Sequence, residues 1–116
     1  MRPITIATPC ACKGATLDRF IQPVILDILS RESCSGYQLI KKMEEYPMFE
    51  GAGPDPAGVY RYLKLMQGRG HIRRSQEEKP LFSITPEGKE CLANWAATLR
   101  EYARSVAELA ERLEQR

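Results

Sequence analysis

Along the last third of the chain the apolar side chains fall at Leu92, Trp95, Leu99, Tyr102, Val106, Leu109 and Leu113, at spacings of 3, 4, 3, 4, 3 and 4. That pattern fills every a and d position of three heptads, and Ala96, Ala103 and Ala110 at the e positions widen the stripe. No Gly or Pro follows Gly88, so one long helix is predicted, opened by Thr85 and Pro86. A helix of about 28 residues extends roughly 40 Å at 1.5 Å per residue. One small domain can hardly cover it, and a second copy of the chain is the expected cover. The competing reading folds the helix back on its own core.

Upstream, Leu17, Phe20, Ile21, Val24, Ile25, Ile28 and Leu29 form one broad apolar face, starting near Thr16. Pro23 lies inside this pattern, where a kink or a break into two short helices is expected. Ser33 or Ser35 is placed to cap a second helix that ends near Tyr46-Pro47, with Leu39, Ile40 and Met43 inward. Met48 to Pro54 reads as a loop. Asp55 and Pro56 are an N-cap and first helical residue, and Val59, Leu63 and Met66 make the apolar face of a third helix that Gly68 or Gly70 stops. His71-Ile-Arg-Arg74 and Leu81-Phe-Ser-Ile84 then read as two short strands around a polar tip. The expected architecture is mainly α with a small two-stranded β wing, a winged helix-turn-helix with a long C-terminal dimerisation helix. It divides into an irregular arm over 1–15, the winged helix-turn-helix over 16–85 and the dimerisation helix over 86–116.

Charge sharpens the picture. The formal net charge is only +2, but residues 61–79 carry Arg61, Lys64, Arg69, Arg73, Arg74 and Lys79 against Glu77 and Glu78. Residues 86–116 carry five basic and six acidic side chains. A cationic middle beside a near-neutral tail suits a nucleic-acid face next to an assembly element.

Three segments, in this order, make the chain resemble the PadR family of transcriptional regulators. Ser35-Gly36-Tyr37 matches the Gly-Tyr that opens the family's second helix. Gly58-Val59-Tyr60 with Leu63, Met66, Gly70 and Ile72 matches its recognition helix. Phe82-Ser83-Ile84-Thr85-Pro86-Glu87-Gly88 matches its aromatic-x-Leu-Thr-x-x-Gly strand end. Two positions depart: Ser35 stands where a His is common, and Arg61 where a Pro is common after the recognition-helix Tyr. The resemblance covers about residues 20 to 116. It implies a homodimer through the C-terminal helix that binds double-stranded operator DNA, most often as a repressor, with effector binding near that helix in some members.

Position assigns the DNA roles. Tyr60 and Arg61 occupy the first turns of the recognition helix, the part that enters a major groove, and Lys64 follows one turn on. Arg73, Arg74 and Lys79 flank the wing, where backbone phosphates are expected. For Tyr37 the resemblance implies a hydroxyl given to the DNA backbone, and a core tyrosine is the alternative. Trp95, the only tryptophan, falls on a d position, so two copies in a dimer either fill the seam or frame a slot for a flat aromatic effector.

Cys10-Ala-Cys12 can place two thiolates on one soft metal, with Cys34 and Cys91 unassigned, so a metal- or redox-responsive regulator is a further reading, as is an inert reduced pair. His71 at the wing's base reads as structural or phosphate-facing. The sequence names no cofactor. No Gly-rich phosphate loop, paired-His metal motif or nucleophile elbow is present, so no enzyme is expected. No signal-peptide pattern or run of about 18 to 20 apolar residues occurs, and a soluble, cytoplasmic protein with no membrane partner is expected. A winged-helix protein-interaction module without DNA binding is the runner-up function.

Overall fold

The later helices each begin where a side chain takes up an amide that the helix itself cannot satisfy. In the computed structural model, which describes residues 20–49 and 53–115, α1 spans Ile21–Leu29, α2 Gly36–Met43, α3 Pro56–Gly68 and α4 Pro86–Glu114. The strands are β1, Ile72–Arg74, and β2, Phe82–Ile84. Ser35, not Ser33, caps α2 through a reciprocal box: its Oγ accepts the Gln38 amide at 3.2 Å, and the Gln38 side chain accepts the Ser35 amide at 2.9 Å. The Asp55 carboxylate accepts the Gly58 amide at 3.3 Å, with Pro56 as the first residue of α3. Thr85 opens α4 in the same way, its Oγ1 accepting the Gly88 amide at 3.0 Å.

Burial follows the apolar faces. Ile25, Leu26, Leu39, Val59 and Met66 are shut off from solvent, and α1 lies at the centre, packed against α2, α3, α4 and β2. Two expectations need correction here. Pro23 does not break α1, which runs uninterrupted from Ile21 to Leu29 with Phe20 at the N-cap position and Pro23 as its third residue. An amide at that position has no acceptor within the helix, so the proline removes nothing. The onset near Thr16 lies outside the described residues. The second helix stops at Met43 rather than near Tyr46-Pro47, and Pro47–Phe49, whose last two residues were expected in a loop, forms a 3-10 turn that buries Phe49. Tyr46 holds this exit by donating its hydroxyl hydrogen to the Asp27 carboxylate on α1.

The strands pair antiparallel, with Ile72 opposite Ile84 and Arg74 opposite Phe82. Cys34, in the turn between α1 and α2, bridges the other edge of β2: its amide donates to the Phe82 carbonyl at 3.1 Å and its carbonyl accepts from Phe82 at 2.7 Å. The wing is therefore bonded to the helix-turn-helix, not merely attached in sequence. Gly70 turns the chain from α3 into β1 at φ +80°, a conformation that favours glycine.

At its other end the wing meets α4. The Thr85 hydroxyl donates to the Gly70 carbonyl at 2.6 Å, and the Thr85 amide donates to the His71 carbonyl at 3.1 Å. Leu92 and Trp95 pack against the core, and from Arg100 to Gln115 every residue is exposed. The heptad stripe therefore divides. Its first half covers the chain's own domain. In its second half Tyr102, Val106, Leu109 and Leu113 are 45%, 46%, 56% and 62% exposed. The helix is not folded back along its whole length on the core.

Candidate nucleic-acid interface

The inward face of α3 is Gly58, Val59, Leu63 and Met66, which turns Ala57, Tyr60, Arg61 and Lys64 outward. Beside α3, the amino end of α2 and the wing enclose an open groove of about 610 Å³. Tyr37, Tyr60, Lys64, Arg74 and Lys79 line it, so five of the seven residues expected to meet DNA share one surface. Tyr37 is 69% exposed, which overturns its reading as a core tyrosine. Arg61 is exposed on the adjoining face of α3. Arg73 is the outlier: in a strand, neighbours point to opposite faces, so Arg73 projects away from the side shared by Ile72 and Arg74.

The other groove residues, among them Ser35, Gly36, Gln67, Glu78 and Pro80, were not assigned to DNA from the sequence. Gly36 has a spatial reason. A Cβ there would lie 2.5 Å from the Tyr60 hydroxyl and 2.7 Å from its ring, so the α3 tyrosine lies across the bare backbone that opens α2. The Gly-Tyr of the family pattern was the signal, but the pattern alone did not connect it to Tyr60.

Electrostatics separates this face from the rest. Elsewhere several basic side chains are matched locally: Arg31 to Asp27 at 3.2 Å, Lys42 to Glu32 at 3.0 Å, Arg104 to Glu101 at 3.1 Å. The hydrogen bond to Glu32 raises the Lys42 ammonium above its ordinary pKa. Among the described residues, Arg61, Lys64, Arg73, Arg74 and Lys79 form no ion pair. Glu78 is the one carboxylate on the groove.

Trp95 stands at a second site, a smaller apolar pocket of about 260 Å³ between α1 and α4. Phe20, Pro23, Val24, Leu92 and Leu99 line it with Trp95, and Asp27 and Tyr46 form its polar edge. Burial first, then the bond to Asp27, raises the Tyr46 phenol above its ordinary pKa. Burial also raises the Cys34 thiol, which makes it a poor nucleophile at neutral pH. Cys10 and Cys12 lie outside the described residues. Among the described residues, no three His, Cys, Asp or Glu side chains are grouped to hold a metal, and no helix is long and apolar enough to cross a membrane. The Nδ1 of His71 is shut from solvent at the wing's base and has no hydrogen-bond partner there.

No protein-family model matches the chain. It is 35% identical over 87 residues to the transcriptional regulator YqjI of Escherichia coli, a match spanning 73% of this chain. The chain spans 40% of that relative's length. Among solved structures, a PadR family transcription regulator from Clostridium difficile superposes with a TM-score of 0.66 at 22% identity, over 78% of this chain and 97% of that one. Bacillus subtilis PadR in complex with operator DNA superposes with a TM-score of 0.56 at 23% identity, over 67% of this chain and 46% of that one. These relatives are regulators, not enzymes. Their likeness and the geometry above agree: the chain has the winged helix-turn-helix fold of the PadR family of transcription regulators.

Proposed function

We propose that this chain is a PadR-like transcriptional regulator, a cytoplasmic repressor that binds a near-palindromic operator as a homodimer. The observation that carries the reading is the groove: Lys64, Arg74 and Lys79, paired with no carboxylate among the described residues, share it with two exposed tyrosines. Matching these side chains to phosphates releases counterions, which gives affinity and makes it steeply salt-dependent. A protein-interaction module has no such need of unpaired cations. Bacillus subtilis PadR, which shares the fold, is a protein solved on operator DNA.

The dimer reading rests on the distal half of the α4 stripe, where Tyr102, Val106, Leu109 and Leu113 form a row of exposed large apolar side chains. Two copies joined there carry two α3 helices, and binding both half-sites requires a separation of about one helical turn of DNA, 34–36 Å. A small aromatic effector acts by changing that separation. The Trp95 pocket, at about 260 Å³, is slightly small for a complete site, and a second copy enlarges it. The test is duplex binding by the 116-residue chain over a range of salt, using genomic fragments as the pool. Enrichment of a near-palindromic sequence, with affinity falling steeply as salt rises, supports the reading. Salt-independent or absent duplex binding refutes it.

A further inference from the structure

The outward residues of α3 differ in where they point, and the difference divides their labour. Ala57, Arg61 and Lys64 recur at helical spacing opposite the buried Val59, Leu63 and Met66. Tyr60 is turned to one side. Its hydroxyl and ring edge lie on Gly36, where an added Cβ would come within 2.5–2.8 Å, and it lines the groove with Tyr37, Arg74 and Lys79. A tyrosine lying against the backbone of α2 is not free to extend into a DNA groove. Arg61 is exposed and forms no ion pair among the described residues. Its Nη2 reaches back along the helix, to 3.7 Å from where a Cβ on Gly58 would stand, so the guanidinium lies over the first turn of α3. Ala57, one turn earlier, is exposed and offers only a methyl group.

We infer that bases are read along the Ala57–Arg61 edge of α3 alone, and that Tyr60 serves the DNA backbone. The inference rests on the DNA-binding reading above. Arg's forked donors fit the two acceptors of guanine in the major groove, and a small apolar contact fits the thymine methyl. Ala57 and Arg61 are four residues apart, about 6 Å along the helix, and successive base pairs rise about 3.4 Å. The half-site therefore carries a G·C pair with a T·A pair within two base pairs of it. Lys64, which also lines the groove, contacts phosphate.

The experiment selects duplexes from a random-sequence pool with the wild-type chain and with Arg61→Gln, Ala57→Gly and Tyr60→Phe, all substitutions at exposed positions. Wild type is expected to recover the paired G and T. Arg61→Gln loses the guanine preference and binds the wild-type site about 5- to 150-fold more weakly, the size of one bidentate contact. Ala57→Gly loses only the thymine preference. Tyr60→Phe keeps its packing on Gly36 and lowers affinity for all duplexes alike, with an unchanged selected sequence. A wild-type site without the G–T pair, an unchanged preference in Arg61→Gln, or an altered one in Tyr60→Phe overturns the inference while leaving DNA binding intact. A wild-type chain that recovers no sequence at all overturns the DNA reading itself.

Discussion

Replacing Gly88 by Ala sets two effects of opposite sign against each other. Gly88 is buried in the first turn of α4, and alanine in a helix is favoured over glycine by up to about 1 kcal/mol. Against that, an added Cβ would stand 2.7 Å from Ile84 Cγ1 and 3.0 Å from the His71 carbonyl carbon, with the carbonyl oxygen closer still. Ordinary carbon contacts are about 3.5–4.0 Å, so the two backbones must separate by at least half an ångström. Ile84 can rotate, but the His71 carbonyl cannot: it accepts the Thr85 amide at 3.1 Å, beside the 2.6 Å bond from Thr85 to Gly70. Overpacking of this kind costs about 1–3 kcal/mol, and each bond loosened adds about 1 kcal/mol. The clash wins. A net loss of about 2 kcal/mol is expected, which lowers the melting temperature by roughly 10 °C for a domain of this size. The measurement is thermal unfolding by circular dichroism at fixed protein concentration, with Gly68→Ala as control. Gly68 ends α3 with no atom within 4 Å of an added Cβ, so its variant should melt at or slightly above the wild type. If Gly88→Ala melts no lower than wild type, the packing of α4 against the wing's root has been misjudged.

The remaining predictions concern assembly, DNA and pH. Val106→Glu with Leu109→Glu, at positions 46% and 56% exposed in the protomer, should leave helix content unchanged but bury charges at the seam, at several kcal/mol, and give a monomer in sedimentation; a stable dimer would place the interface elsewhere. Leu99 is a poorer choice for this test because it lines the intramolecular Trp95 pocket. Arg74→Ala and Lys79→Ala should weaken duplex binding evenly across sequences and flatten the slope of log affinity against log salt by about 0.9 per lost phosphate contact. Arg73→Ala, on the other face of the wing, should change the slope less; equal slopes in all three would remove the groove's special standing. Tyr46→Phe should cost about 1–2 kcal/mol near neutral pH through the lost bond to Asp27. Because the folded-state phenol titrates above its ordinary value of about 10, its contribution is complete below that pH and is lost as pH rises beyond it. Denaturant midpoints of wild type and variant should therefore converge above pH ~10, and a constant gap would contradict the assignment. Cys34, raised in the same direction, is common to both proteins and cancels in the comparison.

Much of the architecture was legible because its signals are local. Asp55-Pro56 and Thr85-Pro86 mark helix starts through an oxygen acceptor followed by a residue that needs no amide bond, and both helices begin there. The 3-4 spacing from Leu92 onward declared the long helix, and the cluster of basic residues between 61 and 79 declared a cationic face. Local spacing misled where the helix boundary decides the outcome: Pro23 breaks a helix only where its amide would be bonded within that helix, and in α1 it is the third residue. What the chain's order could not convey is which residues separated in sequence come into contact. Tyr60 lies on Gly36 because α3 crosses the opening of α2; Cys34 bonds Phe82 because the turn before α2 reaches the wing; Gly88 must be bare because α4 starts against His71. One-dimensional periodicity records which face of an element is apolar, but a contact between two elements depends on their relative placement, and the packing around α1 sets that. The same limit divided the α4 stripe, whose heptads are uniform in sequence: the core is wide enough to cover Leu92 and Trp95, and it ends before Val106 and Leu109.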